Sequence, residues 1–342
     1  MPHNENSRVK IPALVHFTRL GYNYISLKSY SNTAMIDEDT NIFVDLLCAA
    51  INQINGTGYT LEDTRKLISD LKVVLANDDI GREFYSILLN GHNGIRLIDF
   101  DDIDGEKNIF SVVTELTYKN GTDEFRPDII PLINGMPLAF VEVKKPNNKN
   151  GIRAEYDRMN TRARNKKFRR FINLTQIMVF SNNSPYDDNE AVPLEGAFYA
   201  ASSYEKLFFS HFREENAQLI SSVPEADSDT EDFILKDNNL VSIKHTPEYK
   251  TNSAIDTPTN SIITSLFSFE RFLTILKYAV AYVEKTDDNG ITHLEKHLMR
   301  YPQLFATKAI EDKLNHGIKN GIIWHTQGSG KTAEKCNFSG KT

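Results

Sequence analysis

The sequence predicts a mixed α/β fold in which helices cover both faces of a sheet. Helical periodicity prevails in residues 1–90, whereas strand composition and two Asn-Gly turns follow between about 95 and 143. A helix then separates these strands from two more. With 342 residues, 40% of them hydrophobic, the chain can bury a core and is long enough for two or three domains.

Two helices are predicted in the N-terminal part. In residues 41–55 apolar side chains recur at helical spacing, and the glycines at 56 and 58 interrupt the pattern. A second helix is predicted over 82–91, where Gly91 is a typical helix stop. We expect residues 1–80 to form the helical part of the first domain.

Strands are predicted next. Residues 94–105 and 108–121 have strand composition, and Asn120-Gly121 indicates a tight turn. A second pair, Asn134-Gly135, lies between "DIIPLI" and "MPLAFVEVK" and predicts a β-hairpin, because both residues tolerate positive φ.

The hairpin is followed by a predicted helix and two further strands. The helix spans about 151–168, and its buried face is expected to carry Ile152, Tyr156, Met159 and Ala163. The strands are predicted at 171–181 and 196–201, the segments "FINLTQIMVFS" and "GAFYAA".

The last third of the sequence is predicted to contain a linker and a new domain. Residues 221–260 are polar with little apolar periodicity, which indicates a connector that is ordered only in part. A helix is predicted after it, with one apolar face made by Phe269, Phe272, Leu276, Ala279, Val280 and Val283. The predicted division is therefore a domain at 1–220, a linker at 221–260 and a second domain at 261–342.

Composition excludes several classes of protein. The net charge is −7, so any nucleic-acid-binding surface must be local. Two distant cysteines, Cys48 and Cys336, indicate neither a disulfide framework nor a zinc site. The polar N-terminus does not resemble a signal peptide, and no apolar run approaches the length of a membrane span, so we expect a cytoplasmic protein without a membrane partner.

Three charges on the predicted hairpin are unusual for a buried strand pair. Asp128 opens the first strand, and Glu142 and Lys144 close the second, two residues apart and therefore on one face. The turn at Asn134-Gly135 should bring Asp128 close to Glu142. A divalent cation such as Mg²⁺ would neutralise the two carboxylates, and the fixed charge of Lys144 could assist chemistry at a phosphate.

This arrangement, Pro127-Asp128 followed by Glu142-Val143-Lys144, resembles the PD-(D/E)xK nuclease superfamily. The context of an apolar hairpin followed by a helix supports the resemblance. The alternative is a surface hairpin that carries a solvated Glu142–Lys144 salt bridge, which would contribute little to stability.

The next segment is a local basic band. Between positions 144 and 170 eleven residues are basic, and only Glu155 and Asp157 oppose them. A basic helix face beside a carboxylate cluster suits a phosphate backbone that lies across the site. We expect DNA contacts from Lys145, Arg153, Arg158 and Arg162. The alternative is a helix face that is simply solvated.

The segment "GIIWHTQGSGKT" predicts a phosphate-binding loop after a short strand. Its backbone N–H groups would cradle phosphates, Lys331 would reach the β and γ oxygens, and Thr332 would hold Mg²⁺. His325 stands where the strict pattern has glycine, a variant that resembles superfamily 2 helicases. The predicted ATP-binding residues are Gly328, Gly330, Lys331 and Thr332, together with Arg300 and Gln303, which resemble the adenine-reading motif of those motors.

Together, the charged hairpin, "NLTQIMVFSNN" and "RYPQLFA" before the phosphate-binding loop resemble the N-terminal part of a type I restriction enzyme R subunit. The resemblance covers about residues 80–332. It implies a restriction-endonuclease-like core, a linker and the start of a helicase motor. It also implies Mg²⁺ at Asp128 and Glu142 with Lys144 assisting catalysis, ATP with Mg²⁺ in the motor, and cleavage of double-stranded DNA coupled to translocation. The implied partners are a methyltransferase and a specificity subunit.

The helix after Lys144 departs from the family pattern. It lacks Gln-x-x-x-Tyr and carries Glu155, Arg158 and Arg162 instead. An acidic residue from an upstream helix is expected to join the metal, and Glu83 is the candidate.

The C-terminal sequence is the larger departure. "AEKCNFSGKT" does not supply the amphipathic helix that a motor needs after Thr332, so we expect a truncated motor that cannot hydrolyse ATP at a motor's rate. Two other functions stay open. The chain could be a non-catalytic module that binds DNA or partner subunits, or a nucleotide-binding protein in which only the phosphate-binding loop matters.

Overall fold

The computed structural model describes residues 4–30, 33–146, 148, 150–186, 195–286, 289–318, 320 and 322. Its strands are β1 Asn23–Tyr24, β2 Phe110–Thr114, β3 Tyr118–Asn120, β4 Asp123–Phe125, β5 Ile129–Ile133, β6 Ala139–Val143, β7 Ile177–Ser181, β8 Ala197–Ala201, β9 Ser210–His211, β10 Val280–Thr286 and β11 Thr292–Leu298. Seven of them form one sheet in the order β1-β2-β5-β6-β7-β8-β9. The pairs β1–β2 and β6–β7 are parallel and the others are antiparallel, so the predicted mixed sheet is confirmed.

Helices surround this sheet. They are α1 Ile11–Arg19, α2 Val44–Asn55, α3 Leu61–Val74, α4 Arg82–Asn90, α5 Gly151–Arg164, α6 Arg169–Leu174, α7 Ala217–Ser221, α8 Ser228–Asp237, α9 Pro247–Asn252, α10 Pro258–Phe267, α11 Phe269–Thr274 and α12 Tyr301–Asn315. A π-helical turn, Asn6–Lys10, leads into α1, and a second, Ile275–Ala279, follows α11. None of the described helices is long and apolar enough to cross a membrane.

The two faces of the sheet have separate apolar cores because side chains alternate along each strand. Phe140 of β6 and Phe180 of β7 point to the face covered by α5, where they share a core with Ile152 and Met159. Val141 of β6 belongs to the opposite core, which also contains buried residues of α1, α2 and α10. Helices therefore cover both faces, as predicted.

The two predicted Asn-Gly turns are confirmed. Gly121 has φ +65° between β3 and β4. Asn134 and Gly135 both have positive φ between β5 and β6, as a tight hairpin turn requires. Asn134 is fully buried, and its side chain bonds to backbone groups of Leu97 and Ile109.

One strand prediction is wrong and a second is partly wrong. Residues 94–105 contain no strand, because Asp102 accepts backbone N–H groups of the loop that follows and holds it in turns. The segment 171–181 begins as the end of α6 and becomes strand only at Ile177. Asn173 there donates its side-chain amide to the carbonyls of Leu75 and Asn77, a tertiary role that strand composition does not show.

The segment 221–260, expected to be a connector that is ordered only in part, contains helices. Its polar residues include the N-caps of α8, α9 and α10, since the side chains of Asp227, Thr246 and Thr257 each accept a backbone N–H from the first turn. The polar composition of this segment therefore reflects its frequent helix starts.

The helix predicted across Phe269–Val283 is only half correct. Phe272 and Leu276 are buried, but the helical part ends at Ala279, and Val280 begins an antiparallel hairpin with β11. The β-branched and aromatic residues of "VAYVEKT" favour a strand when a partner is present. The predicted boundary at 261 stays a prediction, although the core on the α1 side of the sheet runs without a break into α10 and α11.

Candidate active site

The strand register brings Asp128 and Glu142 together. Ile129 of β5 pairs with Val141 of β6 in the antiparallel ladder, so Asp128 lies opposite Glu142. The backbone N–H of Val143 donates to Oδ2 of Asp128 at 3.0 Å, which fixes this carboxylate at the end of β6. The face is the one covered by α5, because Glu142 follows Phe140 by two residues.

Lys144 lies at the centre of the cluster. Its Nζ donates to Oε1 of Glu142 at 3.0 Å and to the carbonyl of Val143 at 2.8 Å. It also lies 3.8 Å from Oδ2 of Asp128. The three predicted catalytic residues therefore meet around one ammonium group.

Burial and neighbouring charges shift the pKa values of this cluster. Burial raises the pKa of Glu142 to about 8, and the nearby Asp128 carboxylate adds to the rise. Burial also raises the pKa of Asp128, although the positive charge of Lys144 opposes it. For Lys144 burial acts in the opposite sense, but the surrounding carboxylates outweigh it and raise the pKa of the ammonium.

One oxygen of the cluster has no partner. Oε2 of Glu142 is buried and accepts no hydrogen bond from the described part of the chain. A buried carboxylate oxygen without a partner is costly, so its presence indicates a site where a ligand can bind.

A third carboxylate approaches from α5. Glu155 is almost fully buried, and its Oε2 lies 3.7 Å from Nζ of Lys144. The same residue pairs with two arginines of its own helix, Arg158 at 2.5 Å and Arg162 at 3.0 Å. The sequence places Glu155 on this helix but does not by itself show its contact with Lys144. Its spacing of three and seven residues from the arginines was the available signal.

The turn that precedes α1 supplies two more charged groups. Glu5 interacts with Lys144, Asp128 and the backbone N–H of Lys145, and burial raises the pKa of its carboxyl. Lys10 is buried, forms an ion pair with Glu115 and lies 4.0 Å from Oδ1 of Asp128. No local pattern in the sequence indicates that this turn reaches the end of β6.

Glu83, the predicted upstream carboxylate, lies away from the cluster of Asp128, Glu142 and Lys144. It is exposed on the first turn of α4 and accepts a hydrogen bond from Asn77. The neighbouring Gly81 lies against Asn173, which precedes β7 and therefore marks the opposite end of the parallel pair β6–β7. The upstream carboxylate near the site is Glu5.

Comparison with known proteins decides the family. Residues 2–186, more than half of the chain, match the family model described as type I restriction enzyme R protein N terminus. The chain belongs to this family. The match contains β5, β6 and α5, the elements that carry the charged cluster.

Three curated relatives come from Methanocaldococcus jannaschii and carry provisional names as type I restriction enzyme endonuclease subunits. The relative named MjaIXP is 25% identical over 99% of this chain, and those named MjaVIIP and MjaVIIIP are each 26% identical over 69% and 71% of it. The chain spans 31%, 18% and 19% of their respective lengths, less than a third in each case. Residues 302–341 also match a model described as SWI2/SNF2 ATPase.

In this member of the R protein family, the predicted DNA-binding residues differ in their surroundings. Lys145 and Arg153 are exposed, and Arg153 pairs only with Asp157 on its own helix among the ion pairs of the described residues. Arg158 and Arg162 are held by Glu155 instead. The basic face of α5 is thus partly bound to the cluster rather than wholly solvated.

The predicted nucleotide-binding residues are only partly within the described structure. The backbone N–H of Arg300 donates to Oε1 of Gln303 at 2.8 Å, an interaction that caps the start of α12. Gly328, Gly330, Lys331 and Thr332 lie outside the described residues.

The donor set at the cluster fits a magnesium ion that is also bound by water and substrate. No group of three or more His, Cys, Asp or Glu residues in the described part of the chain is arranged to hold a metal by itself. Mg²⁺ commonly takes only one or two protein carboxylates and completes its shell with water and phosphate oxygens. Asp128 and the unpartnered oxygen of Glu142 match that requirement.

Proposed function

We propose that this chain is the Mg²⁺-dependent DNA endonuclease region of a type I restriction R protein, with a restriction-endonuclease-like PD-(D/E)xK core, and that it hydrolyses phosphodiester bonds. The observation that carries the proposal is the convergence of Asp128, Glu142 and Lys144 at the end of β6, with one buried oxygen of Glu142 left without a partner.

The residues have distinct roles in this proposal. Asp128, anchored by the N–H of Val143, and Glu142 would hold the ion. A bound divalent ion would neutralise their charges and polarise the scissile phosphate. Lys144 would contact the phosphate that enters the site and stabilise the negative charge that grows on it. Glu5 would lie at the rim of the same site, beside Lys144 and Lys145.

The wider assignment is also a proposal. The match of residues 302–341 to an SWI2/SNF2 ATPase model supports an ATP-binding motor that begins near α12, with ATP and Mg²⁺ as its cofactors. Membership of the restriction R protein family supports double-stranded DNA as the substrate. It also supports methyltransferase and specificity subunits as partners and translocation coupled to cleavage.

Metal-dependent nicking of plasmid DNA tests the site. We expect Asp128→Asn, Glu142→Gln and Lys144→Met each to lower the nicking rate at least about a hundredfold, because each removes a group that acts on the transition state. Glu83→Gln is the matched control, since this exposed carboxylate lies at the other end of the strands, and it should nick within about twofold of the parent.

The same variants separate the nuclease from a non-catalytic module. Calorimetric titration of Mn²⁺ should show binding to the parent and to Glu83→Gln, and its loss in Asp128→Asn and Glu142→Gln. If the Glu142 and Lys144 variants nick like the parent, the site assignment is wrong. DNA binding without nicking, unchanged when divalent ions are removed, would instead support the assembly module.

A further inference from the structure

The carboxylate of Glu155 lies close to three cationic side chains. One is Lys144 at the end of β6, and the others are Arg158 and Arg162 on α5. Oε1 of Glu155 lies 3.0 Å from Nη1 of Arg162, and its Oε2 lies 2.5 Å from Nη2 of Arg158 and 3.7 Å from Nζ of Lys144. Its side chain is only 2% exposed, so this carboxylate depends on the three cations for its stability.

The two arginines are not equivalent. Arg162 is 25% exposed, and its guanidinium lies 4.1 Å from the centre of the Phe125 ring, which holds it in place. Arg158 is 55% exposed and has no aromatic neighbour of this kind among the described residues. Because Arg158 is more exposed and lacks such a ring contact, a DNA phosphate that approaches α5 can take its guanidinium more easily than that of Arg162. The phosphate and the Arg158 guanidinium can then form a bidentate pair.

Lys144 is shared as well. Its ammonium donates to Glu142 at 3.0 Å, the residue assigned to the metal, and lies 3.7 Å from Glu155 on the other side. While Lys144 pairs closely with Glu142, it competes with a cation for that carboxylate. A shift of Lys144 towards Glu155 would remove this competition.

We propose that Glu155 couples DNA-backbone contact at Arg158 to metal binding at Asp128 and Glu142. This inference rests on the proposed nuclease function. A phosphate draws Arg158 away from Oε2 of Glu155, and the buried carboxylate then attracts Lys144 more strongly. Lys144 moves towards Glu155 and releases Oε1 of Glu142. Glu155 is thus a positioning residue that acts through Lys144.

Thermodynamic linkage makes this proposal measurable without turnover. If DNA favours metal binding, the metal must favour DNA binding by the same factor, and couplings of this kind are typically about fivefold or more. Ca²⁺ is a suitable probe because it also binds carboxylate oxygens. It is titrated into the full chain by calorimetry, with and without a short DNA duplex whose integrity is checked on a gel.

The expected result is that the duplex tightens Ca²⁺ binding to the parent about fivefold or more, and that Glu155→Gln and Arg158→Gln lose this effect. Arg158→Lys, which keeps the charge, should restore at least part of it. Arg153→Gln is the matched control on the same helix, because Arg153 pairs with Asp157 and not with Glu155. It can weaken DNA binding, but it should leave the coupling at the parent's value.

Several results would overturn the inference. Ca²⁺ binding to the parent that is insensitive to DNA would do so, as would full coupling in Arg158→Gln. If Glu155→Gln does not fold, Arg158→Gln still decides the case. The side chain of Arg158 is half exposed, so its replacement should leave the fold intact. These results leave the proposed function intact as long as Asp128→Asn abolishes Ca²⁺ binding. Binding that survives Asp128→Asn would overturn both.

Discussion

Lys296 shows what burial does to a single charged residue. It lies on β11 opposite Tyr282, and its Nζ donates to the carbonyl of Thr175 at 3.1 Å and to Oγ of Ser202 at 3.0 Å. Burial lowers the pKa of its ammonium from the ordinary 10.5 to about 7. The amine is therefore partly neutral at physiological pH and connects the β10–β11 hairpin to the main sheet.

The pKa of Lys296 predicts how stability depends on pH. Between about 7 and 10.5 the unfolded chain binds more protons than the folded chain, so the free energy of unfolding should rise with pH across this window. Below about 7 both states are protonated and the destabilisation is complete. Each pH unit within the window contributes up to about 1.4 kcal/mol. Lys296→Met should remove this contribution.

Urea unfolding of the parent and of Lys296→Met at several pH values between 6.5 and 10.5 provides the measurement. For each protein the free energy of unfolding is plotted against pH, and the difference between the two plots isolates the contribution of Lys296. Other groups cancel in this difference, among them Glu142, whose raised pKa makes the free energy of unfolding fall with pH. If the free energies of unfolding of the two proteins depend on pH in the same way, the amine of Lys296 is not buried as a neutral group.

At the residue scale, the sequence predicted the groups that are close in the chain but not those that are distant. Asp128, Glu142 and Lys144 could be placed together because one tight turn fixes their register. Glu5 could not be predicted, since its position depends on how the turn before α1 packs against the end of β6. The sequence predicts the helix that carries Glu83 but not which end of the sheet that helix meets.

At the scale of one element, the β5–β6 hairpin depends on Gly135. This residue has φ +76°, and a Cβ atom added there would lie 2.6 Å from the carbonyl oxygen of Phe43, at the start of α2. Gly121, in the turn between β3 and β4, has φ +65° but no atom within 4 Å of such a Cβ. The two turns are therefore a matched pair that differ in crowding.

Gly135→Ala should destabilise the protein more than Gly121→Ala. Both variants bear the cost of a side chain at positive φ, about 1 kcal/mol, but only Gly135→Ala must also displace the backbone of Phe43. We expect an additional loss of about 1–3 kcal/mol, as for other overpacked positions. Chemical denaturation of both variants measures the difference, and equal losses would show that the contact with Phe43 yields easily.

Elements were predictable from sequence where local chemistry determined them. The Asn-Gly turns and the helix end at Gly91 were correct because they depend on neighbouring residues. The stretch from Phe269 to Val283 was half wrong because a short apolar run fits a helix or a strand, and only the partner strand β11 decides between them. Tertiary pairing supplied the information that periodicity lacks.

At the scale of the whole molecule, the C-terminal helices belong to the same packed core as the sheet. The hydroxyl of Tyr22 donates to the carbonyl of Phe267 at 2.8 Å, and Nε2 of His16 lies 2.7 Å from Oγ1 of Thr264. Ser181, at the end of β7, bonds to Thr259 at 2.8 Å. These contacts join α1 and β7 to α10, which lies across the predicted end of the linker.

A chain shortened to residues 1–220 should therefore fold poorly, although this range was predicted as a domain. It lacks buried apolar residues of α10 and α11, among them Ile263, Phe267, Phe272 and Leu273. Each such side chain contributes about 1.5–3 kcal/mol when buried, and the total stability of a domain is about 5–15 kcal/mol. The shortened chain would also leave an apolar face of α1 uncovered.

The comparison requires a second shortened chain, residues 1–318, which keeps α10, α11 and the β10–β11 hairpin. We expect this longer chain to unfold cooperatively in urea with a midpoint close to that of the full chain. The 1–220 chain should show a broad transition or none and should expose apolar surface to a hydrophobic dye. A cooperative transition of 1–220 at the same midpoint would support the predicted boundary. It would also show that the core of this range is complete without α10.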